Sequence, residues 1–285
     1  MSAEGKICLV TGATSGTGRV TARELAREGA TVVVLARDEG KADATCREIS
    51  AETGNTRVEP LIADLSVMAQ VRRAAERFTT RFDKLDILVN NAGAVITPPQ
   101  ITSEGLEAMF AGNYLGHFLL TELLVDKLKA AGTARVINVS SVAHRTARID
   151  FDSLHPNAPR KGGYGQSKLA QLLFTYELAD RLEGAGITVN AMHPGAVSSG
   201  FGRQLQDGWR QFVVSAIYGA IGITPEKGAD TILYLALAPE VANTTGRYFI
   251  KRKEVRSSER SRDVELRARL WRESEAILAE VDGRA

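Results

Sequence analysis

The chain has 285 residues, of which 44% are hydrophobic and 25% are charged, values typical of a folded globular protein rather than a disordered or fibrous one. Its 36 basic and 34 acidic residues give a formal net charge of +2, and so balanced a charge argues against a dedicated nucleic-acid binder. The two cysteines cannot build a disulfide framework or a zinc site, which indicates a reducing, cytoplasmic location.

The N-terminal residues run directly into an apolar segment at Ile7, which leaves no room for the charged and apolar regions of a signal peptide. The longest apolar stretch, from Phe212 to Ile223, is well short of the roughly 20 residues that a spanning helix needs. We therefore expect neither a signal peptide nor a transmembrane segment.

Short apolar runs rich in β-branched residues alternate with amphipathic segments along the chain. Several runs are continuous rather than alternating, as in strands buried on both faces of a parallel sheet. The pattern predicts a single α/β domain with a doubly wound, Rossmann-type parallel sheet of about seven strands and helices on both faces. The predicted strands are Ile7–Val10, Thr31–Leu35, Arg57–Ile62, Ile87–Asn90, Arg135–Val139, Ile187–Met192 and Tyr248–Ile250.

Helical patterns fill the segments between these strands. They cover residues 16–28, 40–52, 66–81, 103–130, 163–184 and 225–238. We expect residues 1–250 to form a dinucleotide-binding catalytic domain, with a substrate lid over about 196–224, and residues 251–285 to form a C-terminal helical tail. The tail opens with a basic run, for which a solvated tail with a packed helix is favoured over contact with acidic lipid or RNA.

A glycine-rich turn follows the first predicted strand. Glycines here let the backbone turn sharply and let a pyrophosphate approach the next helix N-terminus, where free N–H groups and the helix dipole favour an anion. The spacing G-x-x-x-G-x-G differs from the usual G-x-G-x-x-G, and a tight turn without a ligand is the alternative. The turn residues expected to contact a dinucleotide are Thr11, Gly12, Thr14, Ser15, Gly16, Thr17 and Gly18.

The end of the second predicted strand bears on the choice between NADP and NAD. In dinucleotide folds an acid about 20 positions beyond the turn binds the ribose of NAD, whereas an arginine accommodates the 2′-phosphate of NADP. Here Ala36 stands in the acid's place and Arg37 follows, with a guanidinium suited to bidentate phosphate binding. The sequence favours NADP, the alternative being a surface Arg37 paired with Asp38 or a nearby glutamate.

Tyr164 and Lys168 stand four residues apart at the start of a predicted helix, so both side chains lie on one helix face. An ammonium that stabilises the phenolate lowers the pKa of a tyrosine towards working pH. The phenol can then give a proton to a carbonyl oxygen, or take one from an alcohol, while hydride moves at carbon. Alone, such a pair is usually just a helix face, but beside a dinucleotide turn it indicates catalysis.

Taken together, the motifs resemble those of the short-chain dehydrogenase/reductase family over roughly residues 5–250. They occur in the family's order: the turn from Thr11 to Gly18, Asp64, Asn90-Asn91-Ala92-Gly93, Asn113, Ser140-Ser141, Tyr164 with Lys168, and Pro194-Gly195. The resemblance implies a catalytic set of Asn113, Ser141, Tyr164 and Lys168. In that set Tyr164 gives or takes the proton, Ser141 steadies the reacting oxygen, Lys168 binds the nicotinamide ribose and lowers the tyrosine pKa, and Asn113 holds a water.

The resemblance also implies cofactor contacts beyond the glycine turn, with Asp64 beside the adenine and Val197 near the nicotinamide. The further contacts expected are Arg37, Asp64, Leu65, Asn91, Ala92, Gly93, Tyr164, Lys168, Pro194, Gly195 and Val197. The alternatives are that Asn113 is only a buried polar residue and that Ser140 and Ser141 only end a strand. Of the two serines, the second matches the family pattern better.

The long gap between Ser141 and Tyr164 and the motif His193-Pro194-Gly195 resemble those of one branch of the family. That branch contains retinol dehydrogenases, WW-domain oxidoreductases and protochlorophyllide reductases. Thr17 and the pair Ser199-Gly200 depart from the family pattern, and neither removes a catalytic group. The four histidines lack metal-ligand spacing, so we expect no metal. The resemblance suggests a homodimer or homotetramer.

The leading hypothesis is an NADP-dependent oxidoreductase acting on a bulky, mostly apolar ketone, aldehyde or alcohol. The segment after Gly195 is rich in aromatic and aliphatic residues, which suits the lining of a pocket for an apolar molecule, although it could instead pack on the C-terminal helix or another subunit. Alternatives are a reductase of small carbonyl compounds and an NADP-sensing regulator without turnover. An epimerase or dehydratase is a third class, but its shorter glycine spacing and larger C-terminal domain are missing.

Overall fold

The part of the chain that the computed structural model describes, residues 2–158, 163–195 and 223–283, contains one sheet of eight strands. The strands are β1 (Ile7–Thr11), β2 (Thr31–Ala36), β3 (Val58–Ile62), β4 (Ile87–Asn90), β5 (Ala134–Val139), β6 (Ile187–His193), β7 (Arg247–Ile250) and β8 (Lys253–Glu254). Their order is β3-β2-β1-β4-β5-β6-β7-β8. The strand order therefore reverses at β1, and in open sheets of this kind the ligand crevice lies beyond the carboxyl ends of the strands at such a point.

All seven predicted strands and the doubly wound parallel arrangement are confirmed. β1 to β7 are parallel to their neighbours, and β8 is antiparallel to β7. The eighth strand lies outside the prediction because it consists of two exposed charged residues, Lys253 and Glu254. Such a strand has no apolar pattern by which the sequence could reveal it.

Helices cover both faces of the sheet. They are α1 (Gly16–Arg27), α2 (Glu39–Thr53), α3 (Met68–Arg81), α4 (Ala108–Phe110), α5 (Gly116–Ala130), α6 (Tyr164–Arg181), α7 (Pro225–Leu237) and α8 (Val264–Asp282). A π-helical segment, Ala111–Leu115, joins α4 to α5. Short 3-10 helices span Val142–Arg145, Phe151–Ser153, Pro239–Val241 and Arg260–Arg262.

The helix predicted over residues 103–130 starts later than expected. Residues 101 and 107 form an isolated antiparallel bridge, which holds the intervening residues in a turn. The Glu107 carboxylate then accepts hydrogen bonds from the backbone N–H groups of Met109 and Phe110. Because this cap satisfies the first free donors of the helix, the helix begins at Ala108.

Hydrophobic residues pack in two layers, one on each side of the sheet. Neighbouring residues of β1 point to opposite layers: Leu9 packs with α3, α5 and α6, whereas Cys8 and Val10 pack with α1, α2 and α7. All three side chains are fully buried. Burial on both faces is the reason why the strands read as continuous apolar runs.

The C-terminal helix α8 packs on α5 and α6. The Trp271 ring lies edge-on to Phe118, with centroids 4.8 Å apart, and the Arg181 guanidinium lies 4.0 Å from the Trp271 ring centroid. The Tyr114 hydroxyl is 2.7 Å from Ser274 Oγ. The helix within the predicted tail is thus part of the hydrophobic core.

The predicted substrate lid lies outside the described residues except for Ile223 and Thr224. Of the helices that the structure describes, none has both the length and the apolar character of a membrane span.

Candidate active site

The glycine turn lies at the carboxyl end of β1, where it meets the residues that follow β4. A Cβ on Gly12 would stand 2.9 Å from the Cα of Ala92, and a Cβ on Gly18 would stand 2.4 Å from the Gly12 carbonyl oxygen. Only glycine allows these backbones to approach so closely. Ser15 precedes α1 without a side-chain cap, so the first N–H groups of α1 remain available to an anion.

Hydrogen bonds fix the glycine turn to the segment after β4. The backbone N–H groups of Asn91 and Ala92 both donate to Thr11 Oγ1 at 2.9 Å. Asn91 Nδ2 also donates, to the Thr11 carbonyl oxygen at 2.8 Å. Thr11, Gly12, Asn91 and Ala92, which the sequence places in the cofactor site, are therefore in direct contact.

Arg37 is exposed just after β2, whereas the preceding Ala36 is buried. The Asp38 carboxylate accepts a hydrogen bond from the Lys41 backbone N–H at 2.9 Å and lies 3.7 Å from Lys41 Nζ. No carboxylate of the described residues lies within ion-pair distance of Arg37. The pairing of Arg37 with Asp38, which was the alternative to phosphate binding, is therefore not found.

Asp64 and Leu65 form the turn after β3. The Asp64 carboxylate accepts hydrogen bonds from the Ser66 N–H at 2.8 Å and from the Ser66 hydroxyl at 2.7 Å. The Leu65 carbonyl oxygen would be only 2.0 Å from a Cβ on Gly116. The turn thus packs directly on the start of α5.

Asn113 lies in the π-helical segment and is almost completely buried. Its Oδ1 accepts from the Ala94 N–H at 2.8 Å, and its Nδ2 donates to the Ala94 carbonyl at 3.0 Å and to Ser167 Oγ at 3.1 Å. Single π turns inside α-helices are frequent at functional sites. Here the π turn places an amide between the segment after β4 and helix α6.

Lys168 is buried beside Tyr164 at the start of α6. Its Nζ lies 5.5 Å from the Tyr164 ring centroid and donates to the Val139 carbonyl and to Gln171 Oε1, each at 2.8 Å. Burial lowers the pKa of the Lys168 ammonium to about 7. A Cβ on Gly93 would stand 3.2 Å from Lys168 Nζ and 3.6 Å from Asn113 Oδ1, so these three residues are neighbours.

Gln171 is a residue that the sequence analysis missed. It is the only side chain among the described residues that accepts a hydrogen bond from Lys168 Nζ, and it is 1% exposed. The sequence could have revealed Gln171 by its position three residues after Lys168, which places both side chains on the same side of an amphipathic helix.

The two serines after β5 have different hydrogen bonds. Ser140 Oγ donates to the Lys168 carbonyl at 2.8 Å and is buried. Ser141 Oγ accepts from the Ala143 N–H at 3.3 Å, at the start of a 3-10 helix, and its own proton has no acceptor among the residues described. The geometry therefore favours Ser141 as the hydroxyl that donates to a reacting oxygen.

Pro194 and Gly195 follow β6, and Gly195 has a φ of 91°. A Cβ on Gly195 would stand 2.7 Å from Ile223 Cδ1. Val197, predicted to contact the cofactor, lies outside the described residues.

Comparison with known proteins establishes the family. The short chain dehydrogenase family model matches residues 6–209, and the chain belongs to that family. Mouse Retinol dehydrogenase 13 is 40% identical over 280 residues, covering 96% of this chain and 84% of the relative. The predicted resemblance is thus confirmed, and the chain is an oxidoreductase of the retinol dehydrogenase branch.

Solved structures agree with this assignment. An uncharacterized protein from Mycobacterium paratuberculosis superposes with a TM-score of 0.76 at 34% identity, covering 97% of this chain and 94% of that one. The Pseudomonas aeruginosa RhlG/NADP active-site complex superposes with a TM-score of 0.68 at 31% identity, covering 87% and 95%.

The residues present fit the NAD(P) that this family binds. The backbone around Gly12 and Gly18 is close-packed, and the α1 N-terminus keeps free donors. Lys168 Nζ lies at the carboxyl end of β5, where it bonds the Val139 carbonyl. An anion at the helix N-terminus and a buried cation next to a phenol are what a dinucleotide and a proton transfer require.

Substituting each serine separately tests their assignment. We expect Ser141→Ala to lower kcat by about 100-fold, the effect of removing one donor to a reacting oxygen, with the melting temperature nearly unchanged. Ser140→Ala should lower the melting temperature because the Lys168 carbonyl loses its donor, and should lower kcat less. Equal losses of kcat at equal stability would contradict the distinction.

Proposed function

We propose that this protein is an NADP(H)-dependent oxidoreductase that interconverts a carbonyl and an alcohol on a bulky, mostly apolar substrate. The observation that carries the proposal is the buried Lys168 ammonium next to Tyr164, at the carboxyl edge of the sheet where the glycine turn lies. The family assignment supports oxidoreduction, and the pair supplies the proton transfer that carbonyl reduction needs.

In the proposed reaction, Tyr164 donates its phenolic proton to the carbonyl oxygen during reduction and accepts the hydroxyl proton during oxidation. A bound nicotinamide supplies or accepts the hydride. Since opposite charges stabilise each other, the Tyr164 phenolate and the Lys168 ammonium favour one another. Ser141 donates a hydrogen bond to the substrate oxygen, and Asn113 holds the loop at Ala94 against helix α6.

A non-catalytic NADP sensor remains the alternative within the same fold. A protein released from catalysis has no need of a buried lysine, because burying an amine lowers its pKa and costs free energy. Here Lys168 is retained, buried and hydrogen-bonded beside Tyr164, which favours the enzyme.

The proposal includes a cytoplasmic location and a homodimer or homotetramer. Cys8 and Cys46 are free and buried, as expected in a reducing compartment. The oligomer rests on the family resemblance.

The preference for NADP is supported by Arg37, by the missing acid at Ala36 and by the related RhlG/NADP complex. The preference for a bulky apolar substrate is supported by the retinol dehydrogenases among the relatives and by the apolar composition of residues 196–224.

Replacing Tyr164 with phenylalanine tests the general acid. We expect kcat to fall by at least about 100-fold, the usual loss on removing a general acid, while the NADPH dissociation constant stays within about twofold. Tyr176→Phe is the matched control, because Tyr176 lies on the same helix but its hydroxyl bonds Ser257. Near-normal turnover by the Tyr164 variant would overturn the assignment.

Cofactor choice is tested by Arg37→Ala. We expect NADPH to bind about 10- to 100-fold more weakly, because hydrogen bonds to a charged group are worth about 1.5–3 kcal/mol, whereas NADH binding changes little. Lys41→Ala removes a neighbouring exposed cation that faces Asp38 and should affect neither cofactor strongly. Equal weakening of NADPH and NADH by Arg37→Ala would show that Arg37 does not read the 2′-phosphate.

Substrate size is tested with unbranched aldehydes of increasing length. If the chain is buried in an apolar pocket, kcat/KM should rise about fourfold for each added methylene, from about 0.8 kcal/mol per buried CH₂, until the pocket is full. A short polar aldehyde such as glyceraldehyde is the comparison. A flat series, or a higher kcat/KM for glyceraldehyde, would contradict the proposal of an apolar substrate.

A further inference from the structure

His117 contacts both the glycine turn and the π-helical segment that carries Asn113. It lies in the first turn of α5 and is 1% exposed. Its Nε2 is 2.9 Å from Thr11 Oγ1 in the glycine turn, and its Nδ1 is 3.0 Å from the Asn113 backbone carbonyl in the π-helical segment. One imidazole ring thus bridges the cofactor turn and the segment that carries a catalytic residue.

The partners determine which ring nitrogen carries the proton. The Asn113 carbonyl can only accept a hydrogen bond, so His117 Nδ1 must donate. Thr11 Oγ1 already accepts from two backbone N–H groups, those of Asn91 and Ala92. Its own proton is therefore directed outwards, with His117 Nε2 at 2.9 Å and the Val89 carbonyl at 3.3 Å as the available acceptors.

A neutral ring protonated on Nδ1 satisfies all of these groups at once. Thr11 donates to the bare Nε2, and the Thr11 oxygen is left to accept both backbone N–H groups. A doubly protonated ring would instead direct a third donor at that oxygen. Burial, opposed by the bond to Asn113 and reinforced by the charge of Lys168, lowers the pKa of His117 to about 4, so the ring is neutral at physiological pH.

We propose that His117 is a positioning residue with two separable functions: its Nε2 orients the Thr11 hydroxyl that holds the cofactor turn, and its Nδ1–H holds the Asn113 segment. The inference rests on the proposed function, since it assigns the Thr11 bond to cofactor affinity and the Asn113 bond to turnover. Imidazole suits this position because its two nitrogens can accept on one side and donate on the other.

Two amide substitutions can separate the bonds. In His117→Gln, the longer side chain can place an amide oxygen near the Nε2 position, where it accepts from Thr11. In His117→Asn, the shorter side chain can place an amide N–H near the Nδ1 position, where it donates to the Asn113 carbonyl. His117→Leu retains bulk and removes both bonds.

The readouts are the dissociation constants of NADPH and NADH, from nucleotide fluorescence, and kcat for an apolar aldehyde at saturating cofactor. We expect His117→Gln to keep the affinity for the tighter cofactor within about threefold and to lose kcat, and His117→Asn to show the reverse. A lost hydrogen bond is worth about 0.5–1.5 kcal/mol, or roughly 2- to 13-fold. His117→Leu should both bind the cofactor more weakly and have a lower kcat.

Thr121→Val is the matched control for packing. Thr121 is buried one turn further along α5 and bonds the His117 carbonyl and Asn90, so its loss should lower the melting temperature and leave affinity and kcat within about twofold. If the glutamine and asparagine variants change both quantities equally, in proportion to their melting temperatures, or change neither, the proposal is wrong.

The affinity measurement also separates this inference from the proposed function. If the wild-type protein reduces no aldehyde, the proposed function fails. In that case weaker cofactor binding by His117→Asn, but not by His117→Gln, still supports the Thr11 bond, and equal binding by both variants overturns it.

Discussion

The hydroxyl of Thr11 holds together the two turns between which a dinucleotide would lie. It accepts the N–H groups of Asn91 and Ala92 while its proton points towards His117. In this sheet the strand order reverses at β1. The chain segments that follow β1 and β4 therefore separate beyond the carboxyl ends of these two neighbouring strands. The absence of side chains at Gly12 and Gly18 brings the backbones close enough for these bonds. One buried hydroxyl thus bonds both the segment after β4 and helix α5.

The chemistry of the site depends on the burial of Lys168. Taking an amine out of water disfavours its charged form, and Lys168 has only two neutral acceptors in the described part of the chain, the Val139 carbonyl and Gln171 Oε1. With its pKa lowered to about 7, the amine is close to half-protonated at neutral pH. A negative group beside it, such as a Tyr164 phenolate, would favour the ammonium form, which links the protonation of the two side chains.

The sequence was most informative where a physical requirement acts on consecutive residues. Strands buried on both faces must be apolar throughout, and the spacing of Tyr164 and Lys168 follows from the helical repeat, so both were readable. The late start of α4 was not readable from the sequence, because it depends on a bridge between Ile101 and Glu107. The strand β8 was not readable because it has no apolar residue. The role of His117 was not readable either, because Thr11, 106 residues away along the chain, becomes its neighbour only in the folded protein.

The proposed function requires hydride transfer between a nicotinamide and the carbonyl carbon of an apolar substrate. The most direct test incubates the protein with retinal and NADPH that carries deuterium at both C4 positions of the nicotinamide, and analyses the product by mass spectrometry. We expect retinol with one deuterium at the carbinol carbon, formed in proportion to the NADP produced. Cofactor oxidation without labelled alcohol, or no reaction with retinal or any other apolar carbonyl, would contradict it.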